Sequence, residues 1–127
     1  AVALGDTIGV ANPRQVFELT SRLRAELPEP QIRLHFHDTR GMALANVVAA
    51  MQAGATQFDA SIGGLGGCPY APGASGNVAT EDVVAMLHAM GIETGIDLRA
   101  LLDAAWFAEE IVGHPLEGRL KRALPRP

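Results

Sequence analysis

The chain has 127 residues, of which 48% are hydrophobic and 19% charged, and its formal net charge is -4. This composition supplies enough apolar side chain for a packed core and excludes intrinsic disorder, and the acidic balance argues against nucleic acid or a membrane surface as partners. The single cysteine cannot form an internal disulfide, and no apolar run reaches the about 20 residues that a membrane-spanning helix needs. We therefore expect a cytoplasmic protein, and the Ala, Gly and Arg content favours a bacterial source.

The first predicted elements are the end of a strand and a helix. Val2 and Leu4 have the spacing of a buried strand that runs into a polar loop at Asp6. Asn12 can cap a helix and Pro13 fits its first position, and apolar residues then recur at helical spacing up to the next prolines. The chain opens inside a strand and without Met, so we expect a fragment.

The second strand and helix follow directly. Residues 32–36 alternate apolar and polar side chains, which predicts a strand with His35 and His37 on its polar face. From about Met42 the spacing becomes helical again, and Gly54 is placed to end that helix.

A third strand, a long loop and two helices complete the pattern. The strand is predicted over residues 56–62, the glycine-rich loop over 63–77, and the helices over 80–91 and 97–111. Strands that alternate with helices require a parallel sheet covered by helices, so the fold class is α/β. The spacing of the strands suits either a (β/α)8 barrel or an open doubly wound sheet.

The two histidines are the first candidate for chemistry. Side chains two apart on a strand point the same way, so His35 and His37 converge at the carboxyl end, where α/β folds bind ligands. This spacing suits two ligands of one metal ion, but a pair of hydrogen-bonded structural histidines has the same pattern.

Three further residues are candidates because they lie on strand-terminal loops. Cys68 is a lone thiol in the flexible loop, a position that favours function over packing. Asp6 could hydrogen-bond its own turn and Asn77 could cap the next helix, and these structural roles are the commoner ones for isolated Asp and Asn. The residues alone indicate no more than a metal site with a loop thiol.

Three segments resemble the hydroxymethylglutaryl-CoA lyases, and the similarity covers nearly the whole chain. They read LGDTIGVANP, HFHDTRGMALAN and GGLGGCPYAPGASGNVATEDVV. The histidine segment is shared with a wider superfamily of metal-dependent barrel enzymes that includes isopropylmalate synthase. The Cys-Pro-Tyr loop resembles the lyases more narrowly, because the synthases usually carry a GERAGN-like stretch there.

The resemblance implies a site and a reaction. His35, His37 and Asn77 match the family's metal ligands for Mg²⁺ or Mn²⁺, and Cys68 matches its catalytic loop cysteine. Asp6 matches an acidic site residue, as does Glu81 with a less definite role, and His35 is also a candidate for proton transfer. The implied reaction is the carbon–carbon cleavage of 3-hydroxy-3-methylglutaryl-CoA to acetyl-CoA and acetoacetate, in leucine degradation and ketone-body metabolism.

The resemblance also implies that residues 1–127 are only the C-terminal part of a TIM (β/α)8 barrel, about three βα units and a final helix. An early-strand Asp ligand and its neighbouring Arg are missing from the sequence. Three strands cannot close a barrel, so we expect the chain alone to be inactive. Two alternatives stay open: another lyase or aldolase of the superfamily that acts on a different acyl-CoA or oxo-acid, and a metal-binding fragment without catalysis. Homo-oligomerisation of the full-length protein also stays open.

Overall fold

A computed structural model describes residues 2–27, 32–67, 75–124 and 126. Cys68, the predicted catalytic thiol, lies outside these ranges. In chain order the elements are β1 (Val2–Asp6), α1 (Pro13–Glu26), β2 (Ile32–Phe36), α2 (Ala43–Gln52), β3 (Gln57–Asp59), a 3₁₀ turn (Ile62–Gly64), α3 (Thr80–Ala89), α4 (Leu98–Val112) and α5 (Arg119–Ala123).

The three described strands form one parallel sheet in the order β1-β2-β3. His35 lies at the centre of this sheet, opposite Gly5 on one side and Asp59 on the other. All three carboxyl ends therefore meet at one edge, the edge at which parallel α/β sheets carry their ligand sites. The predicted α/β class and parallel sheet are confirmed.

The helix starts follow the sequence signals. Asn12 accepts a hydrogen bond from the Gln15 backbone while the Gln15 side chain accepts one from the Asn12 backbone, and Pro13 occupies the first turn. At α4 the Asp97 side chain accepts from the backbone of the second and third helical residues.

The core lies between the sheet and helices α1 and α2. It is built from the apolar residues of the β2 alternation and the inner face of α2, with contributions from α1 and α3. Its fully buried members include Leu34, Ala43, Val47 and Ala50. Burial of these side chains supplies the main stabilisation, at roughly 25 cal/mol per Å² of apolar surface.

The structure differs from the sequence expectation in two places. Strand β3 has three residues and not the seven predicted over 56–62; beyond it Ser61 forms an isolated parallel bridge with Ala79, and a 3₁₀ turn with positive φ at Gly63 and Gly64 follows. The sequence patterns predict no element after residue 111, yet Arg119–Ala123 forms α5, whose five residues are too few for a periodic signal. None of the described helices has both the length and the apolar character to cross a membrane.

Candidate metal site at the strand ends

His35 and His37 lie side by side at the carboxyl end of β2. Their ring centroids are 5.2 Å apart and the ring planes are inclined by 40°. His37 is buried, with 6% of its surface exposed, whereas about a third of the His35 side chain is accessible. The predicted convergence of the two imidazoles is therefore present.

Hydrogen bonds set the tautomer of both histidines. The Nδ1 atom of His37 lies 3.3 Å from the carbonyl oxygen of Ser75, and that of His35 lies 3.4 Å from a carboxylate oxygen of Asp59. Both partners accept hydrogen bonds, so each Nδ1 carries the proton and donates. Nε2 of each ring is then the nitrogen left for a ligand, and imidazole ligates a metal through a ring nitrogen that carries no proton.

Asn77 is brought to the same place by the return of the glycine-rich loop. It forms an isolated antiparallel bridge with His37. Its Nδ2 donates to the carbonyl oxygen of Leu65 at 3.0 Å, whereas its Oδ1 is buried without a hydrogen-bond partner among the described residues. A buried acceptor without a partner costs free energy, so this oxygen fits a ligand that the described residues do not supply.

The two arms of the loop approach so closely that only glycine fits. A Cβ atom on Gly76 would lie inside van der Waals contact of the Gly64 carbonyl oxygen, and one on Gly66 would lie 2.7 Å from Nδ2 of Asn77. Gly66 also has φ of 119°, a conformation that other residues avoid. These glycines bring the Asn77 amide to the strand ends.

Asp6 has the turn role that the sequence left open. Its two carboxylate oxygens accept the backbone N–H groups of Val10 and Ala11, at 3.1 and 3.0 Å. Its carbonyl oxygen accepts from the backbone of His37 at 3.4 Å. The carboxylate thus shapes the β1 loop at the rim of the site.

Glu81 is buried beneath the loop. One carboxylate oxygen accepts the Gly63 backbone N–H at 3.0 Å and the other has no partner among the described residues. Burial raises the pKa of the Glu81 carboxyl, against the lowering effect of the Gly63 hydrogen bond. Glu81 therefore holds the start of the loop, and its raised pKa favours the protonated form.

Several residues near the site were not predicted. Asp59 and Ser75 orient the histidines, and a cavity of about 370 Å³ opens beside Asn77. Neither histidine lines this cavity. Its other polar lining includes Asp38, Thr39, Arg40, Ser75, Asp82 and Arg119. The sequence could have indicated Asp38 as a site residue, because it directly follows His37.

The two imidazoles and the Asn77 oxygen fit a partial divalent-cation site. In the part of the chain that is described, no group of three or more His, Cys, Asp or Glu residues is arranged to hold a metal ion. Hard cations such as Mg²⁺ and Mn²⁺ accept mixed nitrogen and oxygen ligands and usually keep water. The coordination positions beyond these three ligands would be filled by water, by substrate oxygens or by other residues.

Comparison with known proteins places this arrangement in a family. The model of the HMGL-like family matches residues 1–107. The chain belongs to the HMGL-like family. Divalent-metal dependence is general in this family.

Three comparisons, one of sequence and two of structure, illustrate the similarity. The hydroxymethylglutaryl-CoA lyase of Bacillus subtilis is 60% identical over 118 residues, which are 93% of this chain and 40% of that protein. The crystal structure of the HMG-CoA lyase of the same species superposes with a TM-score of 0.90 at 59% identity, covering 95% of this chain and 41% of the other. An Acinetobacter baumannii HMG-CoA lyase in complex with coenzyme A and 3-methylmalate has a TM-score of 0.90 at 46% identity, covering 98% and 43%.

The chain spans about two fifths of the length of these HMGL-like relatives. The structural superpositions confirm the predicted fold class, a piece of a TIM barrel. The three-stranded sheet and its helices correspond to part of that barrel, with β1 and β3 at the edges of the described sheet.

Proposed function

We propose that the chain is the C-terminal part of a hydroxymethylglutaryl-CoA lyase that cleaves 3-hydroxy-3-methylglutaryl-CoA to acetyl-CoA and acetoacetate. The observation that carries the proposal is the placement of His35, His37 and Asn77 at one edge of the sheet: the two rings are 5.2 Å apart, Asn77 is bridged to His37, and its buried Oδ1 has no partner among the described residues. The identity to lyases of the HMGL-like family supports the choice of substrate.

The reaction divides into proton movements and one bond cleavage. The tertiary hydroxyl loses its proton, the bond between its carbon and the carbon next to the thioester breaks, and the electron pair forms the acetyl-CoA enolate. A proton then reaches that enolate carbon, while the hydroxyl-bearing carbon becomes the ketone of acetoacetate. When bound, Mg²⁺ or Mn²⁺ supplies a positive charge that lowers the pKa of the hydroxyl.

The side chains have distinct roles in this scheme. His37 and Asn77 would hold the cation, and their hydrogen bonds to the carbonyl oxygens of Ser75 and Leu65 would orient them for it. His35 is less buried and its Nδ1 faces Asp59, so its Nε2 could either ligate the cation or accept a proton, but not both at once. Cys68 lies outside the described residues. From its loop it would serve as the acid that protonates the enolate carbon or as the base that takes the hydroxyl proton.

The test measures acetoacetate release by the full-length protein that contains this chain. We expect His37→Ala and Cys68→Ser each to lower the rate by about 10²- to 10⁴-fold. His88→Ala is the matched control, because His88 is an exposed histidine that bonds Thr94 away from the strand ends. Near-normal rates in both site variants would contradict the proposal.

Two further measurements separate the alternatives. Removal of divalent cations by a chelator should abolish turnover, and Mg²⁺ or Mn²⁺ should restore it. Faster cleavage of a different acyl-CoA or oxo-acid would favour another lyase or aldolase of the superfamily. Cation binding without any cleavage would favour a metal-binding protein. A bacterial cytoplasmic location stays a prediction from composition.

A further inference from the structure

We infer that Arg119 is a positioning residue for the candidate metal site, acting through the Asp38 carboxylate that follows His37. This inference rests on the proposed function for its metal site, but not on the identity of the substrate. Arg119 belongs to α5, the helix that the sequence patterns did not predict.

Asp38 is the point at which three segments meet. Its Oδ2 accepts a hydrogen bond from Nη1 of Arg119 at 2.5 Å, and its Oδ1 accepts from the backbone of Ala43, in the first turn of α2, at 3.1 Å. Its own backbone N–H donates to the carbonyl oxygen of Gly76 at 3.1 Å. His37 precedes Asp38 in the chain, and Asn77 follows Gly76. Movement of Asp38 would therefore shift both His37 and Asn77.

The backbone of Arg119 is itself anchored. The two carboxylate oxygens of Asp82, a residue only 8% exposed, accept the backbone N–H groups of Arg119 and Leu120 at 2.9 and 2.8 Å. Lys121 is buried and its Nζ donates to Glu109 on α4 at 2.6 Å. The Arg119 side chain thus reaches Asp38 from a helix that is held at two points.

The contact suits positioning better than stabilisation. The Arg119 side chain is 58% exposed and that of Asp38 is 17% exposed, so water screens the ion pair and its contribution to folding is small. The guanidinium stays charged, because the hydrogen bond to Asp38 raises the pKa of Arg119. Its planar donor geometry fixes a carboxylate in a way that a lysine ammonium reproduces only in part.

The experiment measures Mn²⁺ affinity of the full-length protein by electron paramagnetic resonance of the free ion, with Tm recorded alongside. We expect Arg119→Met to weaken Mn²⁺ binding by about 10-fold, the lower range for loss of a residue that orients metal ligands. Arg119→Lys should recover part of this loss. The Tm should stay within about 2 °C of wild type.

Arg122→Met is the matched control on the same helix. Among the described residues Arg122 donates to the nearby carbonyl oxygen of Glu117 at 3.4 Å and has no contact with Asp38, so we expect wild-type affinity. In an Asp38→Asn background, Arg119→Met should produce no further loss, because residues that act through one contact are not additive. Additive losses, an unchanged affinity, or a loss in Arg119→Met that follows a falling Tm would overturn the inference.

The outcomes also separate this inference from the proposed reaction. A protein that binds Mn²⁺ in an Arg119-dependent manner but does not cleave 3-hydroxy-3-methylglutaryl-CoA would overturn the reaction and support the positioning role. If the protein cleaves this substrate and Arg119→Met binds Mn²⁺ as tightly as wild type, the reaction would be supported and the positioning role overturned.

Discussion

Strand β2 contributes to two regions that are held together in different ways. On its buried face Leu34 is fully enclosed and packs into the apolar core with Val47 and its neighbours. On the other face His35 and His37 are each oriented by one hydrogen bond, to partners 24 and 38 residues further along the chain. Core packing spreads stability over many contacts, whereas the site depends on a few distant polar ones. Substitutions should therefore separate stability from metal binding.

The largest expected effect is a loss of stability in the apolar core, at Leu34. Leu34→Ala should lower the free energy of unfolding of the full-length protein by about 2–5 kcal/mol, because it removes buried methyl groups and leaves a cavity. Metal affinity of the molecules that remain folded should be unchanged. Denaturant unfolding measures the first quantity and Mn²⁺ titration the second.

Glu18→Ala is the control for this measurement, because Glu18 is exposed on α1 and, in the part of the chain that the structure describes, pairs with the exposed Arg14. We expect a change within about 0.5 kcal/mol. A Leu34→Ala protein that is as stable as Glu18→Ala would mean that the core does not carry the stability.

The second-largest effect is expected at Gly76, where the loop backbone positions Asn77. Gly76→Ala forces a methyl group against the Gly64 carbonyl oxygen, and we expect a loss of about 1–3 kcal/mol together with weaker Mn²⁺ binding. Gly67→Ala is the matched control in the same loop, because a Cβ atom there meets nothing within 4 Å among the described residues. Equal affinities in the two variants would show that the loop arms do not position Asn77.

The two regions also differ in how far the sequence predicted them. Alternation along β2 correctly placed Leu34 in the core and both histidines on the opposite face, since a strand's period of two is a local property. The hydrogen bonds from His35 to Asp59 and from His37 to Ser75 could not be predicted, because they depend on strand register and loop path.

The predicted site residues had mixed outcomes in the structure. His35, His37 and Asn77 come together at one edge of the sheet, and their metal role stays a prediction. Asp6 is engaged with its own turn, the alternative that local sequence already favoured. The role of Cys68 also stays a prediction, since the described residues do not include it.

A third prediction concerns Lys121, a charged residue buried beside Trp106. Its Nζ lies 4.5 Å from the Trp106 ring centroid and donates to Glu109, and this hydrogen bond is the main cause of a lowered Glu109 pKa. Lys121→Met keeps the apolar stem but removes the charged donor to Glu109, whose carboxylate then retains the hydrogen bond from the Leu116 backbone at 2.9 Å. Because that carboxylate is partly exposed, we expect a loss of about 1–2 kcal/mol at neutral pH.

The pH dependence of this pair has a definite sign. A lowered folded-state pKa means that Glu109 contributes stability above its unfolded pKa near 4.5 and loses it as pH falls through the folded value. The wild type should therefore lose more stability than Lys121→Met between pH 5 and acid. Arg99→Met, which removes an exposed pair with Asp103, should retain the wild-type acid profile.

The smallest expected effect is at Glu81, a buried residue that accepts the backbone N–H of Gly63 at the start of the loop. Burial raises the pKa of the Glu81 carboxyl, so the folded state favours its protonated form. The stabilising contribution is fully present below the unfolded pKa near 4.5 and is lost as pH rises through the raised folded value. Glu81→Gln keeps an oxygen that can accept the Gly63 N–H but has no charge to bury.

We therefore expect Glu81→Gln to differ from wild type by less than about 1 kcal/mol at pH 7, and to gain on it as the pH rises from 4.5 through the raised folded pKa, above which the difference stays constant. Unfolding curves across that range measure the difference in slope. Glu117→Gln removes an exposed carboxylate next to Gly118 and should keep the wild-type slope. If Glu81→Gln also kept that slope, Glu81 would be charged in the folded protein, and its oxygen that has no partner among the described residues would then need a cation or water to compensate it.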